Sequence, residues 1–214
     1  MSDLHVSEHP LAHALLDELR NVDTRPSRVR MLVSQLAFYL ILEASKTLPV
    51  RRKRIQTPVA ETEGIELESC PVGVPVLRAG LGMLPTFLQV FPNAQVGFLG
   101  IHRNEETLEP VAYYERLPQD LHSRWVFVLD PMLATGGTAA ASIQHLRKYG
   151  AEKIALLSLV GAPEGVRKVQ QTDERVDIYL VALDERLNDK GYIVPGLGDA
   201  GDRLFPVNGW PEVV

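Results

Sequence analysis

The chain has 214 residues, 45% hydrophobic and 23% charged, with a formal net charge of −5 and one cysteine. That is enough apolar material for one substantial core, and no break in composition divides it, so a single domain over residues 1–214 is expected. The acidic balance argues against nucleic acid and acidic membranes as partners, and no apolar run approaches the roughly 20 residues of a membrane span. Cys70 has no partner for an internal disulfide, and Met1–Val6 lacks a signal-like pattern; a cytoplasmic protein is expected.

Leu11, Leu15 and Leu19 recur every fourth residue and predict a first helix. Ser27 is expected to cap a second, in which Val29, Leu32, Val33, Leu36, Ala37, Leu40, Ile41 and Ala44 mark one face. Pro49 ends it. Arg51–Arg54 and the segment to Ser69 are polar and mixed, compatible with irregular chain or a strand pair. From residue 70 the pattern alternates. Val74–Leu77 reads as strand, Leu81–Val90 as helix, Val96–Ile101 as strand and Trp125–Leu129 as strand. Thr138–Tyr149 reads as helix, Ile154–Val160 as strand, Glu164–Gln171 as helix and Val176–Leu183 as strand. The expected fold is α/β, a mostly parallel sheet with helices on both faces.

Ligands of such sheets bind beyond the carboxyl ends of the strands, and three strand ends carry unusual chemistry. Val74–Leu77 runs into Arg78-Ala-Gly-Leu-Gly82, and Val96–Ile101 into His102-Arg-Asn-Glu-Glu106. Trp125–Leu129 runs into Asp130-Pro-Met-Leu-Ala-Thr-Gly-Gly-Thr138. A strand that delivers a small-residue turn to a helix N-terminus makes an anion site, because unpaired N–H groups and the macrodipole point the same way. Arg78 and Arg103 add planar forks suited to phosphate oxygens. Asp130 repels phosphate, so a sugar between phosphate groups, with Asp130 accepting from its hydroxyls, reconciles the set. A ribose with phosphate at one end and pyrophosphate at the other fits. The interval Arg103–Pro118 is polar and punctuated, as in a lid or protruding hairpin; Tyr113 and Tyr114 there suit lid and ordinary packing equally.

These segments resemble the type I phosphoribosyltransferases, and more closely the uracil phosphoribosyltransferases. Val128–Thr138 resembles their phosphoribosyl pyrophosphate fingerprint, Pro75–Met83 their pyrophosphate loop, and Arg103–Pro110 the start of their flexible arm. Gly191-Tyr-Ile-Val-Pro-Gly-Leu-Gly-Asp-Ala-Gly-Asp202 is similar to their uracil-binding segment. The likeness runs from about His9 to Phe205, with the motifs in order.

The resemblance implies that Arg78 and Arg103 bind the diphosphate. It gives Asp130, Pro131, Met132, Leu133, Ala134, Thr135, Gly136, Gly137 and Thr138 to the ribose and 5′-phosphate, with Asp199 also close to phosphoribosyl pyrophosphate. Ile193, Gly198, Asp199 and Ala200 would hold uracil largely through backbone groups. Asp130 and Arg103 are the implied catalytic residues. Mg²⁺, held mainly by substrate oxygens, is the implied cofactor; a homodimer or larger homo-oligomer and a GTP effector are implied too. Pro131 stands where phosphoribosyltransferases often carry a second acid, a departure that the uracil branch shares. The tail Val207–Val214 matches no segment of the family.

Rival readings are weaker. Gly196-Leu-Gly-Asp-Ala-Gly201 fits G-x-G-x-x-G but lacks the following chain that a dinucleotide fold requires. Gly136-Gly137 lacks the lysine of a nucleotide-triphosphate loop. His5, His9 and His13 share a metal-like spacing, but Pro10 interrupts it and no Cys or carboxylate cluster is expected to join them. Cys70 is expected to be a small buried filler. Arg51–Arg54 suits a solvated charge run, or an inter-subunit or effector contact, better than a nucleic-acid patch. The alternative function is a phosphoribosyltransferase-fold regulator that senses nucleotides and binds RNA, which would need a basic face.

Overall fold

The structure is a computed structural model that describes residues 3–103 and 110–207. The chain opens with strand β1 (Leu4–Val6) and helices α1 (Pro10–Arg20) and α2 (Pro26–Ser45). Pro10 and Pro26 each open a helix where the missing N–H costs nothing. The His9 side chain caps α1 by accepting the Leu11 N–H. Two details differ from expectation. Proline's fixed φ starts α2 at Pro26, so Arg25 stands at the cap position and Ser27 does not. In α1 the buried residues are Ala12, Leu16 and Leu19, while Leu11 is exposed in the first turn. The apolar face expected of α2 is buried at all of its positions, Val29 through Ala44.

The mixed stretch forms a hairpin, β2 (Val50–Gln56) and β3 (Glu61–Leu67). There follow β4 (Val72–Leu77), a 3-10 turn over Ala79–Gly82 and α3 (Leu84–Val90). The single helix expected over Leu81–Val90 is therefore split. Pro85 cannot donate to the preceding turn and disfavours helical backbone before it. Next come β5 (Phe98–Arg103), β6 (Pro110–Arg116), β7 (Trp125–Leu129), β8 (Met132–Leu133) and α4 (Gly137–Lys148). Val96 makes only an isolated bridge to Gly73, so β5 starts later than expected. The chain continues through β9 (Lys153–Gly161), α5 (Pro163–Thr172) and β10 (Asp177–Leu183). It ends in a short ribbon, β11 (Arg186–Leu187) with β12 (Ile193–Val194), and α6 (Ala200–Leu204).

The main sheet runs β1-β10-β9-β7-β4-β5-β6, parallel except for the β5–β6 pair. Side chains of β7 alternate between its faces. Phe127 and Leu129 join the core under α1, α2 and α3, while Val126 and Val128 join Ile143, Leu146, Val166 and Val169 from α4 and α5. Burial on both faces explains the continuous apolar run of this strand. The α1–α3 side packs closely: a β-carbon on Gly73 would stand 2.5 Å from the Phe87 ring.

The order also fixes where a ligand can enter. From β4 the chain moves to β5 on one side, then returns to β7 on the other, so the topology reverses between β4 and β7. A crevice opens at such a point beyond the carboxyl ends. Here those ends deliver Arg78 and Asp130.

Candidate active site

Asp130 is held in line with the sheet. Its N–H donates to the Leu157 carbonyl (3.2 Å), and the Pro131 carbonyl accepts from Leu159 (2.9 Å). Pairing with β9 then resumes at Met132 and Leu133, a short strand where the sequence suggested only loop. The acid therefore projects from rigid backbone. Burial pushes its carboxyl up to about 7, opposed only by the Met132 N–H at 3.5 Å.

After Leu133 the chain turns through Ala134, Thr135 and Gly136 into α4. Gly136 takes the cap position with φ 77°, a left-handed conformation, and has no side chain to cap the helix; Thr135 Oγ1 accepts only the Gly137 N–H, at 3.4 Å. The remaining first-turn N–H groups lie at the positive end of the macrodipole. His145, Arg147 and Lys148 complement the opposite end. A cleft of about 250 Å³ lies in front, lined by Arg78, Asp130, Met132, Leu133, Ala134, Thr135, Gly136 and Thr138, with Ala79 and Ile101 beside them. Pro131 and Leu133 are buried, Leu133 in the core beneath α4, while Gly137 is half-buried in the first turn of that helix.

Arg78 follows β4 directly, across a cis Leu77–Arg78 peptide bond. Its exposed guanidinium donates to Asp202 of α6 at 3.1 Å. Arg103 is the last residue of β5, at the same sheet edge, and pairs with Pro110 through the backbone; its side chain and residues 104–109 lie outside the described residues. The arm returns as β6, where Glu115 bonds to both His145 and Tyr149 of the α4 end. Tyr113 lies against Gly100, since a β-carbon on that glycine would meet its ring at 2.6 Å.

The segment 191–202 lies beside this cleft, joined to it through Asp202 and Arg78, and Ile193, Gly198, Asp199 and Ala200 are not among the lining residues. Gly191, Gly196 and Gly198 all have positive φ. Ile193 and Ala200 are buried, while Gly198 and Asp199 are exposed. Asp199 caps α6, its Oδ1 accepting the Asp202 N–H at 2.9 Å. The three sequence motifs meet here. A β-carbon on Gly191 would lie 3.7 Å from the Thr135 methyl, and one on Gly201 would lie 3.7 Å from Arg78 Nη2. This short ribbon and five-residue helix are not the strand–turn–helix of a dinucleotide site.

Three residues absent from the sequence motifs, Arg20, Asp184 and Arg203, also bind this segment. Asp184 stands directly after β10, so the strand-end rule could have found it. Arg20 gives no such signal, since a basic residue ending a helix is ordinary. The other singled-out residues lie elsewhere. His13 bonds to the Ser7 carbonyl, and His9 is a helix cap. His5 is near Asp3 and Asp177 at the β1 edge of the sheet. Cys70 is half-buried rather than buried, because it lies in the connection before β4. Arg51 and Lys53 pair with Glu66, and Arg52 with Glu63, across the β2–β3 hairpin. Among the described residues, no helix is long and apolar enough to cross a membrane.

A parallel α/β sheet with an acid and a phosphate-type turn at its switch point defines a phosphoribosyltransferase-like protein. The fold is similar to that of a purine phosphoribosyltransferase from Pyrococcus horikoshii, with a TM-score of 0.52 at 18% identity over 73% of this chain and 85% of that one. A solved protein from Aquifex aeolicus is much nearer, with a TM-score of 0.89 and 43% identity over 95% of this chain and 98% of that one. The uracil phosphoribosyltransferase family model matches residues 6–206. Proteins named uracil phosphoribosyltransferase from Streptococcus equi subsp. zooepidemicus and Roseiflexus castenholzii are 52% and 48% identical, each over 96% of this chain and 99% of theirs. The chain belongs to the uracil phosphoribosyltransferase family.

Proposed function

We propose that this protein transfers the phosphoribosyl group of phosphoribosyl pyrophosphate to N1 of uracil, releasing diphosphate and forming UMP. The observation that carries this is the convergence of Arg78, Asp130 and the N-terminus of α4 on one cleft at the switch point. Each has a partner in the donor. The α4 terminus receives the 5′-phosphate, Asp130 accepts from ribose hydroxyls, and Arg78 with Arg103 neutralises the diphosphate. The N1–C1′ bond forms with inversion as the C1′–O bond to diphosphate breaks, and the N1 proton is released. Positive charge develops on the sugar, so fixed electrostatics serve better than a protein nucleophile.

Backbone groups around Ile193, Gly198, Asp199 and Ala200 read the base. Uracil presents two carbonyl acceptors flanking an N–H, and a glycine-rich turn can approach that edge closely. Cytosine leaves a donor or acceptor mismatched at that edge, which lowers its affinity. Mg²⁺ neutralises the leaving group when bound. Asp130 is the one acid lining the cleft among the described residues, which suits an ion held mainly by substrate oxygens.

Two further expectations belong to the proposal. Self-association is supported by exposed Leu11, Phe38 and Leu42 on α1 and α2, an apolar surface of the kind that a second subunit covers; sedimentation tests it. A GTP effector rests on the family resemblance, and titrating turnover with GTP tests it. The deciding assay for the main reaction is UMP formation from labelled uracil, phosphoribosyl pyrophosphate and Mg²⁺. No turnover by folded protein overturns the enzyme, whereas a purine or cytosine outcompeting uracil overturns only the base.

A further inference from the structure

The turn that leads into Gly198–Ala200 is fastened from behind by side chains that do not line the cleft. Arg20, the last residue of α1, donates from Nη1 to the Gly196 carbonyl (2.6 Å). The same guanidinium grips both carboxylate oxygens of Asp184, at 2.8 and 2.6 Å. Asp184 Oδ2 in turn accepts the Gly196 N–H at 2.8 Å. Both backbone polar groups of Gly196 are therefore taken by one ion pair, whose side chains are only 18% and 5% exposed.

The anchor itself is rigid. Asp184 follows β10 and donates its own N–H to the Gly161 carbonyl at the end of β9 (2.8 Å). Arg203 adds a second tie between the same elements. It donates to the Leu19 and Asn21 carbonyls at the end of α1 and to the Leu197 carbonyl in the turn.

A turn with glycines at positive φ has little stiffness of its own. Reading a base through backbone groups nevertheless requires them to be held to about 0.5 Å. Charge-assisted bonds from a planar fork supply that constraint. We propose that the Arg20–Asp184 pair is a positioning unit for base recognition: it locks the Gly196 peptide and so fixes the orientation of Gly198–Ala200. The proposal rests on assigning that turn to uracil.

The test must separate positioning from stability. Replacing both buried charges by apolar side chains of similar volume often leaves stability unchanged, whereas removing one partner alone does not. The double variant Arg20→Met/Asp184→Leu is therefore expected to melt only modestly below the wild type, the loss coming from the buried Gly196 N–H and carbonyl left without partners. Its KM for uracil should rise about tenfold, while kcat and the KM for phosphoribosyl pyrophosphate stay within about twofold. Arg20→Lys, which keeps the charge but loses the fork, should show a smaller rise in the same parameter, and it carries the test if the double variant does not fold. An unchanged uracil KM in a folded, active variant overturns the proposal. So does an equal rise in both KM values together with a lowered melting temperature, which marks a structural role only. Wild-type protein that forms no UMP instead overturns the functional assignment on which the proposal rests.

Discussion

Gly136 and Gly165 meet backbone to backbone: a β-carbon on Gly136 would stand 2.7 Å from the Gly165 carbonyl oxygen. A β-carbon on Gly165 would stand 2.6 Å from the Leu133 carbonyl oxygen. The first turn of α5 therefore braces the turn that feeds α4. Gly165→Ala must push these elements apart, at a cost of about 1–3 kcal/mol. Because the displaced atoms belong to the phosphate turn, the KM for phosphoribosyl pyrophosphate should rise more than that for uracil. Gly136→Ala should be worse, since its φ of 77° adds about 1–2 kcal/mol of backbone strain. Thermal melts with both KM values measure this; an unchanged donor KM in Gly165→Ala would show that the brace is not needed.

The burial of Asp130 makes a pH prediction. Its folded-state pKa of about 7 lies above the ordinary value of 3.8, so the native state holds an extra proton between roughly pH 4 and 7. Stability conferred by the neutral acid is full at low pH and falls as pH rises through that window, an effect that cleft water reduces because the carboxyl is only half-buried. Asp130→Asn should flatten this slope and be the more stable protein at pH 8, as urea titrations at pH 5 and 8 would reveal. The ionised form, acceptor at both oxygens, binds ribose hydroxyls more strongly than the neutral acid. Wild-type kcat/KM for the donor should therefore climb through about pH 7, and the Asn variant should bind phosphate yet turn over poorly. Wild-type kinetics in Asp130→Asn would show that the acid does not touch the ribose.

The parts legible in the sequence are those written in local patterns. The α2 face from Val29 to Ala44 repeats with the helical period, and the β7 run ends at the residues expected. Strand ends, once ordered in a parallel sheet, already pointed to Arg78 and Asp130. Turn-scale detail was less legible, because Met132 and Leu133 pair with β9 through long-range bonds that no local pattern encodes. Arg20 and Gly196 are likewise far apart in sequence, and only the folded chain shows their contact.

Glu115 joins the arm to the body. On β6 it bonds to both His145 and Tyr149 at the end of α4, the helix whose other end faces the cleft. Glu115→Ala should cost under about 1 kcal/mol of global stability, since the three side chains are partly solvated. Its local effect should be larger. Amide exchange at Tyr113–Arg116 should speed up several-fold, while β7 and β9 stay protected. Equal protection of β6 in both proteins would show that the arm is held by strand pairing with β5 alone.

Arg78 and Asp202 form an ion pair beside the cleft. Their ion pair spans 3.1 Å, but its side chains are 54% and 67% exposed, so it contributes only about 0–1 kcal/mol to stability. Its consequence is for binding. Asp202 competes with diphosphate for the guanidinium, and closure of diphosphate on Arg78 must displace or share that contact. Arg78→Ala should raise the KM for phosphoribosyl pyrophosphate about tenfold or more, because a charge-assisted fork to phosphate is worth at least one power of ten. Asp202→Ala should leave the melting temperature nearly unchanged and lower that KM, or at most leave it where it is. A raised donor KM in Asp202→Ala would reverse the assignment, making the carboxylate an aid that aims Arg78 at the diphosphate rather than a competitor for it.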